Sequence, residues 1–166
     1  MQAPIPSARQ VISGNEPGAS AARVALWLAS PLARRHFDPS RLNDADAGLS
    51  RTLRNPDRAE EFVISRSLQQ YLATPATTPQ SLSHSGRYAA LALAPAGIRV
   101  GVDIEQHRPR DLLAIARFAF AAEESAALAE LEGAALEQEF YARWVMKEAM
   151  AKALQLPLLV ASRECR

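Results

Sequence analysis

Three short stretches carry residues whose types and spacing suit chemistry on a phosphate. In Gly101-Val102-Asp103-Ile104-Glu105 two carboxylates stand two positions apart. On an extended chain, a period of two puts Arg99, Gly101, Asp103 and Glu105 on one face, opposite Ile98, Val100, Val102 and Ile104. Two carboxylates on one face can share a hard divalent cation, and Mg²⁺ takes one or two carboxylates completed by waters and phosphate oxygens. A solvated sheet rim gives the same pattern, and for this stretch alone that plainer reading is favoured.

The second stretch, Trp144-Val145-Met146-Lys147-Glu148-Ala149-Met150-Ala151-Lys152, adds a third carboxylate. On a helix, Glu148 has Tyr141, Trp144 and Val145 as surface neighbours, and Lys152 follows one turn later. Lys147 is expected in a row with Glu139 and Arg143 on a solvated face. A carboxylate beside an aromatic stripe is costly unless paired or metal-bound. The simpler alternative is an i,i+4 pair with Lys152 contributing a few tenths of a kcal/mol. The third stretch, Ser81-Leu82-Ser83-His84-Ser85, reads as a turn entering a strand. It offers hydroxyls, backbone N–H groups and an imidazole to a phosphate, although an isolated Ser-His-Ser is more often a surface turn. A Ser-His-Asp hydrolase finds no support, because the Gly-x-Ser-x-Gly elbow is absent.

These residues need elements to hold them. Residues 1–21 are rich in Pro, Gly, Ser and Ala and are predicted to be a flexible tail. The apolar run 23–29 predicts a strand. Asp38-Pro39-Ser40 suits the start of a short helix reaching Leu49. Asn55 as cap, Pro56 in the first turn and Asp57 at the positive end of the dipole predict a helix over 55–72. Residues 74–80 read as a loop. The runs 88–95 and 98–105, joined by a short Pro95–Gly97 connection, read as adjacent strands. Two short helices with a break near Phe120 are expected next, then a long helix over 135–155 stopped by Pro157.

Composition bounds the partners. The chain has 166 residues, enough for one domain or two small halves, with 48% hydrophobic and 22% charged residues. Its net charge of +1 gives no reason to expect a general nucleic-acid binder. The single cysteine excludes a disulfide framework, and no apolar run approaches a membrane span. A cytoplasmic protein is expected.

In order and spacing, the three stretches resemble the signatures of the phosphopantetheinyl transferases. The family's strand motif is matched by GVDIE (101–105), its W-x-x-K-E-A-x-x-K helix by WVMKEAMAK (144–152), and its upstream Ser-His-Ser by SLSHS (81–85). A looser match to D-R-x-x-x-F-x-x-x-R runs through 57–72. Firm resemblance covers roughly 81–155, and its pattern is that of the larger, surfactin-synthetase-activating type, shortened at the C-terminus. The segment before Ser-His-Ser lacks the Gly-Lys-Pro of many members, and only LQLPLLVASRECR follows Ala153.

The resemblance implies an α/β (α+β) fold: a pseudodimer of two related halves, each a small, mostly antiparallel sheet packed with helices, with the coenzyme in a cleft between them. Residues 22–95 and 96–166 would be those halves. It implies transfer of the 4′-phosphopantetheine arm of coenzyme A to a serine of an apo acyl or peptidyl carrier protein, releasing 3′,5′-ADP. Asp103, Glu105 and Glu148 would hold Mg²⁺, or Mn²⁺ in its place. Glu148, or a metal-held water beside it, would take the serine proton, and Lys152 would meet the phosphoryl oxygens. Ser83 and His84 would contact the nucleotide phosphates, Arg66 the 3′-phosphate, and Arg51 and Arg54 would add positive charge. Glu124, or equally Glu123, lies near a further acidic position of some members. Fatty-acid, polyketide and nonribosomal-peptide carriers are all open as partners. Nucleic acid and membrane are not expected, and a monomer is expected, with a dimer as the alternative given the short C-terminus. The alternative functions are a non-catalytic homologue that keeps coenzyme A or carrier binding, and an unrelated Mg²⁺ phosphohydrolase, which would leave the Ser-His-Ser and Lys152 spacing unexplained.

Overall fold

The computed structural model describes the backbone of residues 8–13 and residues 23–157 in full. It is a mixed α+β structure that divides into two compact units, Met1–Val100 and Gly101–Arg166. In the first unit, β1 (Ala8–Ser13), β2 (Val24–Ala29), β3 (Gln80–Ser85) and β4 (Tyr88–Leu93) form one antiparallel sheet in the order β1-β2-β4-β3. Strand β1 corrects part of the predicted tail, since Ala8–Ser13 pairs along all six residues with β2. Backbone pairing needs no apolar alternation, so the lack of periodicity there did not preclude a strand. The rest of the predicted tail lies outside the described residues.

The core of this unit explains the sheet. In register, Leu82, Leu91 and Trp27 form one cross-strand row, and His84, Ala89 and Ala29 another. Ile64 and Leu68 of helix α2 (Pro56–Leu72) pack on these rows with Ala33, within a 3₁₀ turn over Pro31–His36. Helix α2 starts as predicted: Asn55 Oδ1 accepts the N–H groups of Asp57 and Arg58 at 2.9 and 3.1 Å, and Pro56 needs no donor partner. The predicted helix after Asp38 is instead a 3₁₀ turn over Pro39–Arg41 followed by α1 (Asp44–Thr52), capped by Asn43. Asp38 accepts from Ser40 N–H and closes only the short turn.

Two further corrections concern the predicted site. Ser81–Ser85 is not a turn before a strand; it is most of β3 itself, and the turn comes afterwards at Gly86-Arg87. Gly86 has φ 60°, which a two-residue hairpin loop demands at its first position. Residues 98–105 carry no strand assignment. Both edges of β4 are occupied, by β2 and by β3, so the chain leaving Leu93 cannot pair back onto it. It turns at Pro95–Ile98, with Gly97 at φ 83°.

In the second unit, α3 (Leu112–Ala119) and α4 (Ala122–Ala129) are separated at Phe120, as expected. Helix α5 (Gly133–Leu154) is the longest element. The helices close around Ala116, Phe120, Leu128, Phe140 and Tyr141, with Trp144 against them. Gln155, in the left-handed conformation, ends α5 before Pro157. Among the described residues this unit has helices but no assigned strand, so the expected second sheet is not seen in them. No helix among the described residues is long and apolar enough to cross a membrane.

Candidate active site

The site in the second unit is built by laying Gly101–Glu105 directly on α5. A Cβ on Gly101 would stand 1.8 Å from the carbonyl oxygen of Ala149 and 2.9 Å from Ala153 N. Only glycine lets the two backbones meet so closely. One residue further, Lys152 Nζ donates to Val102 O at 3.2 Å and to Asp103 Oδ1 at 2.7 Å. At the other end of the segment, Tyr141 Oη accepts Arg108 N–H at 3.0 Å and donates to Arg108 O at 3.2 Å. The His107 ring stacks on Tyr141 at 4.1 Å. Side chains of α5 thus hold both ends of the acidic segment.

This arrangement brings together four of the predicted residues. The Asp103 side chain is 7% exposed and ion-paired with Lys152, which is one-third exposed. Glu148 is half-buried and its carboxyl is pushed up, first by burial, then by the negative charge of Asp103, with Glu105 adding to it and Lys152 opposing it. Three carboxylates therefore share one field. Beside them a recess of about 400 Å³ is lined by Asp103, Glu105, His107, Gln138, Tyr141 and Val145 among others.

An all-oxygen donor set in which burial and neighbouring negative charge push one carboxyl up is what a hard divalent cation would relieve. Asp103 Oδ2 is buried and accepts no hydrogen bond from the protein, which is consistent with the same fit. In the described conformation Asp103 Oδ1 is turned onto Lys152. No three His, Cys, Asp or Glu side chains among the described residues converge tightly enough to enclose an ion.

Lys147 corrects the sequence reading. It is 1% exposed, pairs with Glu124 Oε1 at 3.0 Å, and stands 5.7 Å from the Phe120 ring centroid. The other oxygen of Glu124 accepts Ala121 N–H at 3.1 Å. Glu124 is therefore the counter-ion of Lys147 and the cap of α4, rather than a further acid of the site. Glu139 pairs with Arg143 alone of that row, at 2.8 Å from Nε. The signal was in the sequence: Phe140, Trp144 and Ala151 lie at −7, −3 and +4 from Lys147, the spacing of a buried face.

The remaining predicted residues lie in the first unit. His84 is at the end of β3, with Nδ1 3.5 Å from Glu61 Oε2. Ser83 is buried, and as strand neighbours Ser83 and His84 point to opposite faces of the sheet. Arg66 is paired with Asp46 at 2.6 Å and lies 4.8 Å over Phe62, so an anion at this guanidinium would compete with Asp46. A recess of about 260 Å³ opens beside it, lined also by Arg41, Gln69 and Gln70. Arg51 and Arg54 are exposed at the end of α1 and after it.

No curated protein matches the chain. Residues 99–165, the stretch holding Asp103, Glu105, Glu148 and Lys152, match the family described as the 4′-phosphopantetheinyl transferase superfamily. The acidic segment and the Lys-Glu-Ala helix, packed as one unit, both lie within the stretch that is similar to this family.

Proposed function

We propose that the protein moves the 4′-phosphopantetheine arm of coenzyme A onto a serine hydroxyl of an apo carrier protein, releasing 3′,5′-ADP, in a reaction dependent on Mg²⁺. The observation that carries this reading is the shared field of Asp103, Glu105 and Glu148 with Lys152 bound to Asp103, inside the segment that matches the superfamily.

Asp103, Glu105 and Glu148 would hold the metal, which when bound would offset the charge of the pyrophosphate. The chain's own groups account for the other roles. Glu148, whose carboxyl takes up a proton more readily than an exposed glutamate, suits the general base that receives the serine proton as the serine oxygen bonds to phosphorus. The bond that breaks joins that phosphorus to the oxygen leaving with 3′,5′-ADP. The Lys152 ammonium has three donors, of which two are used on Val102 O and Asp103. The third is available to a phosphoryl oxygen. In the first unit, His84 and Arg66 are assigned to the nucleotide phosphates, with Arg51 and Arg54 as exposed positive charge.

The test is to incubate the protein with Mg²⁺, coenzyme A and several apo carrier proteins of fatty-acid, polyketide and nonribosomal-peptide type, and to measure intact carrier masses. A phosphopantetheine mass gain on at least one carrier supports the proposal. It fails if none gains mass while a known transferase modifies the same samples. Coenzyme A binding without transfer would instead mark a homologue that keeps only the binding step.

A further inference from the structure

The buried carboxylate of Glu61 has no place in the chemistry above. Helix α2 turns Glu61, Ile64, Ser65 and Leu68 toward the sheet, at the spacing of one helical face, and all four are buried. Ile64 and Leu68 belong to the apolar core with Leu82 against it. Glu61 stands one turn before Ile64, and His84 is two residues beyond Leu82 on the same face of β3. The helix therefore sets a carboxylate against an imidazole at the end of a row of hydrophobic contacts.

Stability alone does not call for this. Glu61 is 4% exposed, and replacing a buried charge by an apolar side chain is often neutral or stabilising. Its other partner, Arg58 at 3.0 Å, is two-thirds exposed, and surface pairs contribute little. Neighbouring Glu60 already serves the surface cations, with Arg87 Nη2 at 3.0 Å and Arg34 at 3.9 Å.

We propose that Glu61 is a positioning residue: it holds Nδ1 of His84 so that Nε2, on the opposite edge of the ring, is presented to a phosphate oxygen of the coenzyme nucleotide. Nδ1 stands 3.5 Å from Glu61 Oε2, so a hydrogen on Nδ1 would point at the carboxylate and set the ring's orientation and tautomer. The protonated ring then meets an anion through Nε2–H. The imidazole is 37% exposed, enough for a ligand to reach it. This inference rests on the proposed binding of coenzyme A.

The experiment is calorimetric titration of the full chain with coenzyme A, comparing wild type with Glu61→Gln, His84→Ala, the double variant, and Glu60→Gln as the surface control. Loss of an orienting partner typically costs about 10–100-fold in affinity, and a loss of about 10-fold is expected for Glu61→Gln. In the His84→Ala background the same change should cost nothing further, since Glu61 acts through the imidazole. Glu60→Gln should bind as wild type. Nitrogen NMR of His84 in the ligand-free protein should show the Nδ1–H tautomer at alkaline pH in wild type and lose that preference in Glu61→Gln. If Glu61→Gln binds coenzyme A as wild type does, or weakens it equally with and without His84, the positioning role is overturned while coenzyme binding stands. Failure of the wild type itself to bind overturns both. Should Glu61→Gln not fold, Glu61→Met at the same position carries the same comparison.

Discussion

Substituting Gly101 by alanine puts the account of the acidic segment at greatest risk. The added Cβ would begin 1.8 Å from the Ala149 carbonyl oxygen and 2.8 Å from its carbonyl carbon. Both obstacles are helix backbone and cannot rotate away. Ordinary contact starts near 3.4 Å, so the segment must withdraw from α5 by about 1.6 Å. Such a shift would carry the Lys152–Asp103 contact from 2.7 Å to about 4 Å, beyond hydrogen-bond range. Overpacking of this kind costs about 1–3 kcal/mol. At about 2–4 °C per kcal/mol for a chain of this size, Tm falls by several degrees. A displacement of about 1 Å can also cost on the order of 100-fold in rate. Thermal melting followed by circular dichroism gives the first quantity, and pantetheine transfer to a carrier gives the second. Gly48→Ala is the control: in α1, where its Cβ would meet nothing within 4 Å, it should be neutral or stabilising by about 0.4–1 kcal/mol. A Gly101→Ala protein that melts with the wild type would refute the packing of this segment on α5, whatever reaction the protein performs.

Other expectations bear on single groups. Burial and Asp103 hold the Glu148 carboxyl above the ordinary value of 4.5 in the folded chain, so the fold binds that proton more tightly than the unfolded chain does. Stability attributable to this group is then present below pH 4.5 and is lost as pH rises through the raised value. In chelator, Glu148→Gln should melt higher than wild type at pH 7, with the gap closing toward pH 4; a lower Tm at pH 7 would contradict the reasoning. Lys147→Ala leaves Glu124 without its buried partner and should cost about 3 kcal/mol in urea denaturation, whereas Lys147→Met should cost far less. Equal losses would show that the ion pair is not what matters. Tyr141→Phe removes both hydrogen bonds to Arg108 and should lower stability by about 1–3 kcal/mol, with faster amide exchange at Arg108. Unchanged exchange there would mean the segment is held by other contacts.

Much of the site was legible because its residues sit in local patterns. Asn55-Pro56-Asp57 set the start of α2, and the apolar spacing of α5 placed Glu148 and Lys152 one turn apart. Which groups those residues meet was not legible. The pairing of Lys152 with Asp103 spans 49 positions, and the dependence on Gly101 arises from a close approach between two backbones. Residues 98–105 alternate like a strand, yet β4 has no edge to offer them, and that depends on the order of the whole sheet. Lys147 and Glu61 were misread or passed over for a different reason. Both occupy buried-face spacings, although Lys147 also falls in a row with the charged Glu139 and Arg143. Tertiary partners, Glu124 for one and His84 for the other, make those burials tolerable.

The most direct test of the central claim is carrier modification by the variants of the packed unit. Intact mass spectrometry of an accepted apo carrier should show complete phosphopantetheine addition with wild type, coenzyme A and Mg²⁺. Glu148→Gln and Lys152→Ala, each confirmed as folded by melting, should give none in the same time. Turnover by both variants equal to that of the wild type would contradict the assignment of this site.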